Sequence, residues 1–322
     1  MLNILISSVN KIAFSIGDLD IAWYGIIVTT AILAAFFLFM FLAHKSGIDD
    51  DFILETFIWV IILAVIFCRL FYVVGHDSYW PIEDWDDFVR LFNIREGGLT
   101  IIGGVVGGAL GVFLCCLRNK KYSFAKVADC VVIALLLGQI IGRWGNFFNQ
   151  ELYGIEITNP KLQWFPIAVF IDARNGYYAA SFFYEGVLNA IGLAIALTLF
   201  FKYKGKLKPF TLSLFYLGWY GIVRGSLEFI KFEKANIGNT NIGVVQVMCL
   251  CMFVISIVLQ VLLQMGKISF ETRWFRNLCE AKAKKIDEEK TNTVIGTQEE
   301  VDKILNQSTQ KQENIANEDE KK

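Results

Sequence analysis

The sequence predicts an all-α polytopic membrane protein. It has seven transmembrane helices, small extracytoplasmic arm and head segments, and a disordered C-terminal tail. Three observations predict this. Of the 322 residues, 55% are hydrophobic and 28 are phenylalanine, with a mean hydropathy of +0.49; a soluble domain does not bury that much apolar surface. The apolar residues fall into seven runs, each near the ~20 residues a helix needs to cross a bilayer. Finally, the lysine-rich connections between runs recur on one side only.

Taken in order, residues 1–20 lack a cationic start, an apolar run and a small-residue cleavage site. They read as an extracytoplasmic N-terminal segment rather than a cleaved signal peptide. The membrane domain covers residues 21–264. Its first span, residues 21–42, opens on Trp23-Tyr24-Gly25, aromatics of the interfacial kind. A short turn leads to the second span, residues 52–74, with Arg69 near its far end. Residues 76–98 form the arm, rich in Trp80, Trp85, Glu83, Asp84, Asp86 and Asp87, with one short helix expected. The third span, residues 99–117, carries Gly103, Gly104, Gly107, Gly108 and Gly111, a small-residue pattern that permits tight helix contacts. A basic turn of Arg118, Lys120, Lys121 and Lys126 follows. The fourth span starts near Val127, with Asp129 close behind.

Residues 150–180 form the head. Asn159-Pro160 and Asn175-Gly176 mark turns, and residues 165–171 are β-branched and apolar enough for one strand of a small hairpin. The fifth span is residues 181–201, the sixth 210–229 and the seventh 242–263. Lys202, Lys204, Lys206 and Lys208 lie between the fifth and sixth. Residues 265–322 are rich in Lys, Glu, Asn and Gln and are expected to be a disordered cytoplasmic tail. Trp274-Phe275 within it is expected to rest on the membrane surface. With seven spans, all three basic connections face one side, which puts the N-terminus outside and the C-terminus in the cytoplasm.

A net charge of −1 says nothing about a nucleic-acid partner, and none is expected. Six of the seven cysteines sit in apolar runs, and none is spaced with a histidine; they read as small core residues, with no metal and no cofactor expected.

The chemistry gathers where the fourth span should be ending, in Gly142-Arg143-Trp144-Gly145-Asn146-Phe147-Phe148-Asn149-Gln150-Glu151-Leu152-Tyr153-Gly154. A charge at bilayer depth costs ~2.5–3.5 kcal/mol or more on insertion scales, so it is paired or functional. Arg143, Asn146 and Asn149 recur at three-residue spacing, which puts them on one side of a continuing helix. The sixth span adds Tyr220, Arg224 and Glu228. Two buried arginines converging from separate spans make a site for a phosphate or a carboxylate, because the planar guanidinium fork matches those groups.

At these residues the chain resembles the prolipoprotein diacylglyceryl transferase family. Every fixed position of the pattern Gly-Arg-x-Gly-Asn-Phe-x-Asn-x-Glu-x-x-Gly is filled between Gly142 and Gly154. Trp23-Tyr24-Gly25, Arg69-Leu70 with Tyr72-Val73, Glu96-Gly97-Gly98-Leu99, Phe183-Tyr184-Glu185, the Tyr220–Arg224 segment with Glu228-Phe229, and Gln246 extend the resemblance over residues 20–264. It implies transfer of a diacylglyceryl group from phosphatidylglycerol to the lipobox cysteine of a preprolipoprotein in the bacterial cell membrane, with membrane lipid as surroundings and substrate. In that light Arg143 and Arg224 are the expected catalytic pair on the leaving phosphate. Tyr24, Asn146 and Asn149 are expected to bind glycerol or phosphate oxygens, Glu151 and Glu228 to orient the arginines, and Gly154 and Tyr220 to line the substrate. The family usually has His or Tyr before the pair Gly103-Gly104, and His-Pro before Tyr184-Glu185; this chain has Ile102 and Ala179-Ala180. A thiolate favoured by the arginine pair is then the expected route. Two other readings share these features: a relative that binds lipid or lipoprotein without turnover, and a transporter of an anionic substrate.

Overall fold

The computed structural model describes residues 10–271 apart from 18, 77, 78, 81, 83, 94–97, 99, 204 and 233–242. Residues 272–322 of the expected tail, with Trp274-Phe275, and the residues Glu83, Glu96, Gly97, Leu99 and Lys204 lie outside the described residues. The elements run β1 (Ile12–Ile16), β2 (Leu19–Ala22), α1 (Trp23–Lys45), α2 (Asp50–Val74), α3 (Trp85–Arg90), α4 (Ile101–Arg118), α5 (Phe124–Asn149), β3 (Ala168–Ile171), β4 (Gly176–Ala179), α6 (Ser181–Lys202), α7 (Thr211–Glu228) and α8 (Val244–Gln264).

The chain is mostly helical. Among the described residues, α1, α2, α5, α6 and α8 are long and apolar enough to cross a membrane by themselves. The other two long helices, α4 and α7, have 18 residues each, about 27 Å at 1.5 Å per residue against a hydrocarbon core of ~30 Å. In α7 the aromatic and charged residues that build the site, Tyr216, Tyr220, Arg224 and Glu228, also dilute its apolar character. Among the described residues between α2 and α4 is the short helix α3, opened by Asp84, whose carboxylate accepts from the Asp87 N–H at 2.8 Å; a side-chain acceptor there satisfies an orphan helix donor. An antiparallel β1–β2 hairpin precedes α1. The sequence alone assigns no secondary structure there.

Glycines set the closest helix pair. A Cβ at Gly103 would sit 2.2 Å from the Phe67 carbonyl oxygen, and one at Gly107 2.3 Å from that of Leu63. The backbones of α2 and α4 therefore touch where any side chain would hold them apart. Beside this contact, Arg69 organises the arm. Its Nε donates to the Leu91 carbonyl at 2.7 Å, and its Nη atoms donate to Arg90 O at 2.7 Å, Gly98 O at 3.3 Å and the Tyr79 hydroxyl at 3.3 Å. The buried guanidinium thus finds acceptors for its donors in the carbonyls at the end of α3 and at Gly98.

α5 is the central helix, packing on α1, α4, α6 and α7. The main apolar core is concentrated at the end of the bundle near the turn after α1, where Leu42, Ile48, Phe52, Ile53, Cys115, Val127 and Ile133 meet. Near that end Asp129 of α5 reaches across to the start of α7. Its carboxylate accepts from the N–H of Phe210 at 2.9 Å and from the N–H and hydroxyl of Ser213 at 2.7 and 2.8 Å. Phe210 has a left-handed backbone with φ +78°, costly for a residue with a Cβ, and these bonds hold it there.

The head forms the expected hairpin, with its first strand shortened to Ala168–Ile171 and paired to Gly176–Ala179. Residues 154–157 add alongside β4 through Gly154 N–H to Ala179 O at 2.9 Å and Ile157 N–H to Tyr177 O at 2.7 Å. Behind them the chain leaving α7 joins on, with Ile155 N–H donating to Ile230 O at 2.7 Å and Gly154 bridged to Lys231. Phe147, Tyr153, Phe165 and Phe183 close over Val169, Ile171 and Phe182 beneath the hairpin.

Candidate active site

The signature stretch divides at Asn149. Up to that residue it is the last two turns of α5; from Gln150, which is left-handed at φ 56°, it becomes the first strand-like segment of the head. Arg143, Asn146 and Asn149 thus share one side of α5, as their spacing implies. Gly145 brings a partner close: a Cβ there would lie 3.1 Å from the Tyr24 ring of α1. Trp23 stacks on Phe148 with ring centroids 5.4 Å apart, so the start of α1 is fastened to the end of α5 at the level of the arginine.

Arg143 and Arg224 come together through a residue that the site prediction did not include. Glu185, in the second turn of α6, places one carboxylate oxygen on Nη2 of Arg143 and the other 3.6 Å from Nη1 of Arg224. Its side chain is 4% exposed, and those of the arginines 13% and 17%. The row of charges continues. Arg224 Nη2 lies 3.5 Å from Glu228 Oε2, and Glu228 Oε1 lies 3.7 Å from Nζ of Lys231. Cations and carboxylates therefore alternate from α5 through α6 and α7 to the head junction, with one positive charge in excess. Taking these groups from water costs several kcal/mol each, and close opposite charges offset it only when the geometry is good. At 3.5–3.7 Å the Glu228 contacts are loose for hydrogen bonds and both its oxygens are buried without one, so an added anion or cation there would rearrange the row readily.

Neighbouring side chains fix the arginine layer. Asn146 Oδ1 accepts from Arg143 Nη1 at 3.3 Å. One turn deeper, Gln139 of α5 donates to the Tyr216 hydroxyl of α7 at 2.7 Å, and Tyr216 stacks on Tyr220, which is one turn before Arg224. The Tyr184 hydroxyl donates to Ile167 O at 2.8 Å, tying the start of α6, and so Glu185, to the head.

Glu151, Gly154 and Gln246 each bond or pack within the protein. Glu151 does not touch an arginine: its Oε1 accepts from Asn149 Nδ2 at 3.3 Å. The carboxylates beside the two arginines are Glu185 and Glu228; the left-handed break at Gln150 turns Glu151 out of the α5 face. Gly154 is enclosed by protein; a Cβ there would lie 2.7 Å from Ile230 O and 2.8 Å from both Ala179 Cβ and Ser181 Oγ. Its lack of a side chain serves the junction between head and α7. Gln246 accepts from its own helix start, Gly243 N–H, at 3.0 Å. Ile102 is 59% exposed on the outside of α4. Of the two histidines, His44 pairs with Asp50, and His76 stacks on Tyr72 at 3.9 Å. The only signal for Glu185 in the sequence was its place in Phe183-Tyr184-Glu185. No metal-holding cluster occurs among the described residues.

Residues 11–262 match the family model described as prolipoprotein diacylglyceryl transferase. Over 237 residues the chain is 35% identical to phosphatidylglycerol–prolipoprotein diacylglyceryl transferase 1 of Clostridium perfringens, covering 71% of this chain and 88% of that one. It is 31% identical over 256 residues to the enzyme so named in Listeria innocua, 78% of this chain and 89% of that one. With the counterpart in Lactobacillus delbrueckii subsp. bulgaricus it shares 32% over 272 residues, 83% and 95% of the two chains. With its site helices α5, α6 and α7 all inside the matched region, this chain belongs to the prolipoprotein diacylglyceryl transferase family.

Proposed function

We propose that this chain is a phosphatidylglycerol–prolipoprotein diacylglyceryl transferase, and that the alternating charge row is where the lipid's phosphate sits. The observation that carries the reading is one buried carboxylate, Glu185, shared by two arginines from different helices; an anion site is already built there. In the reaction the lipobox cysteine sulfur attacks the glycerol carbon that bears the phosphate oxygen. The C–S bond forms, the C–O bond breaks, and the electron pair stays on the phosphate oxygen as glycerol phosphate leaves. The phosphodiester carries one negative charge and the departing monoester two, so arginine donors hold it more tightly as the reaction proceeds. Interactions that strengthen toward the transition state lower the barrier.

The nucleophile starts mostly protonated, with an ordinary thiol pKa of ~8.5. The excess positive charge favours its thiolate, and the thiol proton leaves to solvent. Asn146 and Asn149 sit on the same side of α5 as Arg143, and Tyr24 of α1 packs against Gly145 of α5; these three serve the glycerol and phosphate oxygens, and Tyr220 lines the inner wall. We place the chain in the bacterial cell membrane with seven spans over residues 21–264, the arm (76–98) and head (150–180) outside, and residues 265–322 in the cytoplasm. The lysine-rich turns after α4 and α6 support that orientation.

The test is transfer from phosphatidylglycerol vesicles to a synthetic lipobox peptide by the purified full chain, read by the mass gained at cysteine. Wild type transfers, and Arg143→Ala abolishes transfer while the protein still accumulates in membranes. Peptide left unmodified by the wild type would overturn the assignment, and near-normal turnover by the variant would remove Arg143 from the chemistry.

A further inference from the structure

Glu185 raises a question of competition. Its two oxygens occupy Arg143 Nη2 and Arg224 Nη1, and the remaining outer nitrogens of the pair are turned to Asn146 and Glu228. A carboxylate set between two guanidiniums has the charge and nearly the donor geometry of a phosphodiester's two free oxygens. The lipid phosphate and Glu185 therefore want the same donors. Glu185 is also held where it cannot swing far. It is almost wholly buried, and the Tyr184–Ile167 bond ties its turn of α6 to the head.

We propose that Glu185 is a positioning residue that acts as an internal stand-in for phosphate. Between turnovers it spaces the two arginines one carboxylate apart. When lipid enters, it shares their donors with the phosphodiester. After C–O cleavage its negative charge beside the departing dianion weakens the grip on glycerol phosphate and drives release. This rests on the proposed diacylglyceryl transfer for its biological meaning, but its central claim, that Glu185 weakens anion binding between Arg143 and Arg224, is independent of turnover.

The experiment measures glycerol phosphate binding to the detergent-solubilised full chain by calorimetry for wild type, Glu185→Gln and Glu185→Asp, and transfer kinetics for the same proteins. Glutamine keeps the shape and removes the charge. An adjacent charge within hydrogen-bonding range shifts anion affinity by an order of magnitude or more even at an effective dielectric near ~20. E185Q is therefore expected to bind glycerol phosphate about tenfold tighter or more. In turnover it should show a lower KM for phosphatidylglycerol, a lower kcat and stronger inhibition by added glycerol phosphate. E185D keeps the charge but is one methylene short of spanning both arginines; its glycerol phosphate affinity should stay within about threefold of wild type while kcat falls. A merely structural role for Glu185 predicts lower kcat with unchanged or weaker glycerol phosphate binding in E185Q, and that result overturns the proposal. Should E185Q fail to fold, tenfold tighter binding by E185D would overturn it equally, since charge would then not be what weakens binding. If wild type binds as predicted but never transfers, the functional assignment fails and the role of Glu185 stands.

Discussion

Gly154→Ala is the perturbation whose consequence the structure fixes most closely. The resemblance implies that Gly154 lines the substrate, whereas the structure surrounds it with protein. The added Cβ would meet the Ile230 carbonyl oxygen at 2.7 Å, Ala179 Cβ at 2.8 Å and Ser181 Oγ at 2.8 Å. The first two cannot rotate away, because one is backbone and the other is fixed to it. The chain must therefore part on both sides of residue 154. The bonds at risk are Gly154 N–H to Ala179 O at 2.9 Å and Ile155 N–H to Ile230 O at 2.7 Å. Overpacking costs about 1–3 kcal/mol, and each weakened backbone bond adds roughly 0.5–1.5 kcal/mol. The expected loss is about 2–4 kcal/mol, part of it relieved by small shifts. Because residues 230 and 231 move with the junction, Lys231 is drawn off Glu228, and the charge row opens at its outer end. Thermal unfolding in detergent with kcat and KM measured below the transition checks both consequences. A marked drop in the unfolding temperature together with reduced kcat is expected. Wild-type stability with only a raised KM would show that the glycine faces the ligand, and would refute the steric argument.

Three other outcomes follow from the same geometry. Arg224→Lys should lose most of its transfer rate, since one ammonium cannot reach Glu185 and Glu228 while presenting a fork to phosphate; wild-type kcat in that variant would mean that charge alone suffices. Asp129→Ala removes the three bonds that hold Phe210 and Ser213; at roughly 1.5–3 kcal/mol for each bond to a charged group, less the several kcal/mol that burying the carboxylate costs, the net loss should be about 2–4 kcal/mol, and unfolding at wild-type temperature would show that the α7 start needs no such anchor. Ile102→His should raise the rate by far less than the ~10²–10⁴-fold of a positioned base, because residue 102 faces outward from α4. Its pH–rate profile should gain no limb near ~6.5; a large rescue with such a limb would assign the missing base to that position.

The sequence by itself determined the long helices, because hydrophobicity over about twenty residues is a local property that needs no partner to be read. Their ends follow the expected runs closely, as with α2 at Asp50–Val74 and α6 at Ser181–Lys202. Periodicity put Arg143, Asn146 and Asn149 on one side of a helix, and the glycines of α4 announced a close neighbour without saying that it was α2. What the tertiary structure alone decided is who meets whom. Glu185 was only part of a short motif until α6 carried it between two arginines. Glu151, inside the signature and apparently beside Arg143 in sequence, was turned away by one left-handed residue. Gly154, expected to line the substrate, is enclosed by the head and the end of α7, contacts that no local pattern announces. The β1–β2 hairpin left no signal strong enough to read in a dozen residues. The physical reason is that a helix is specified by its own residues, whereas contacts such as Glu185 with Arg143 and Arg224, or Gly154 with Ile230, join residues tens of positions apart along the chain.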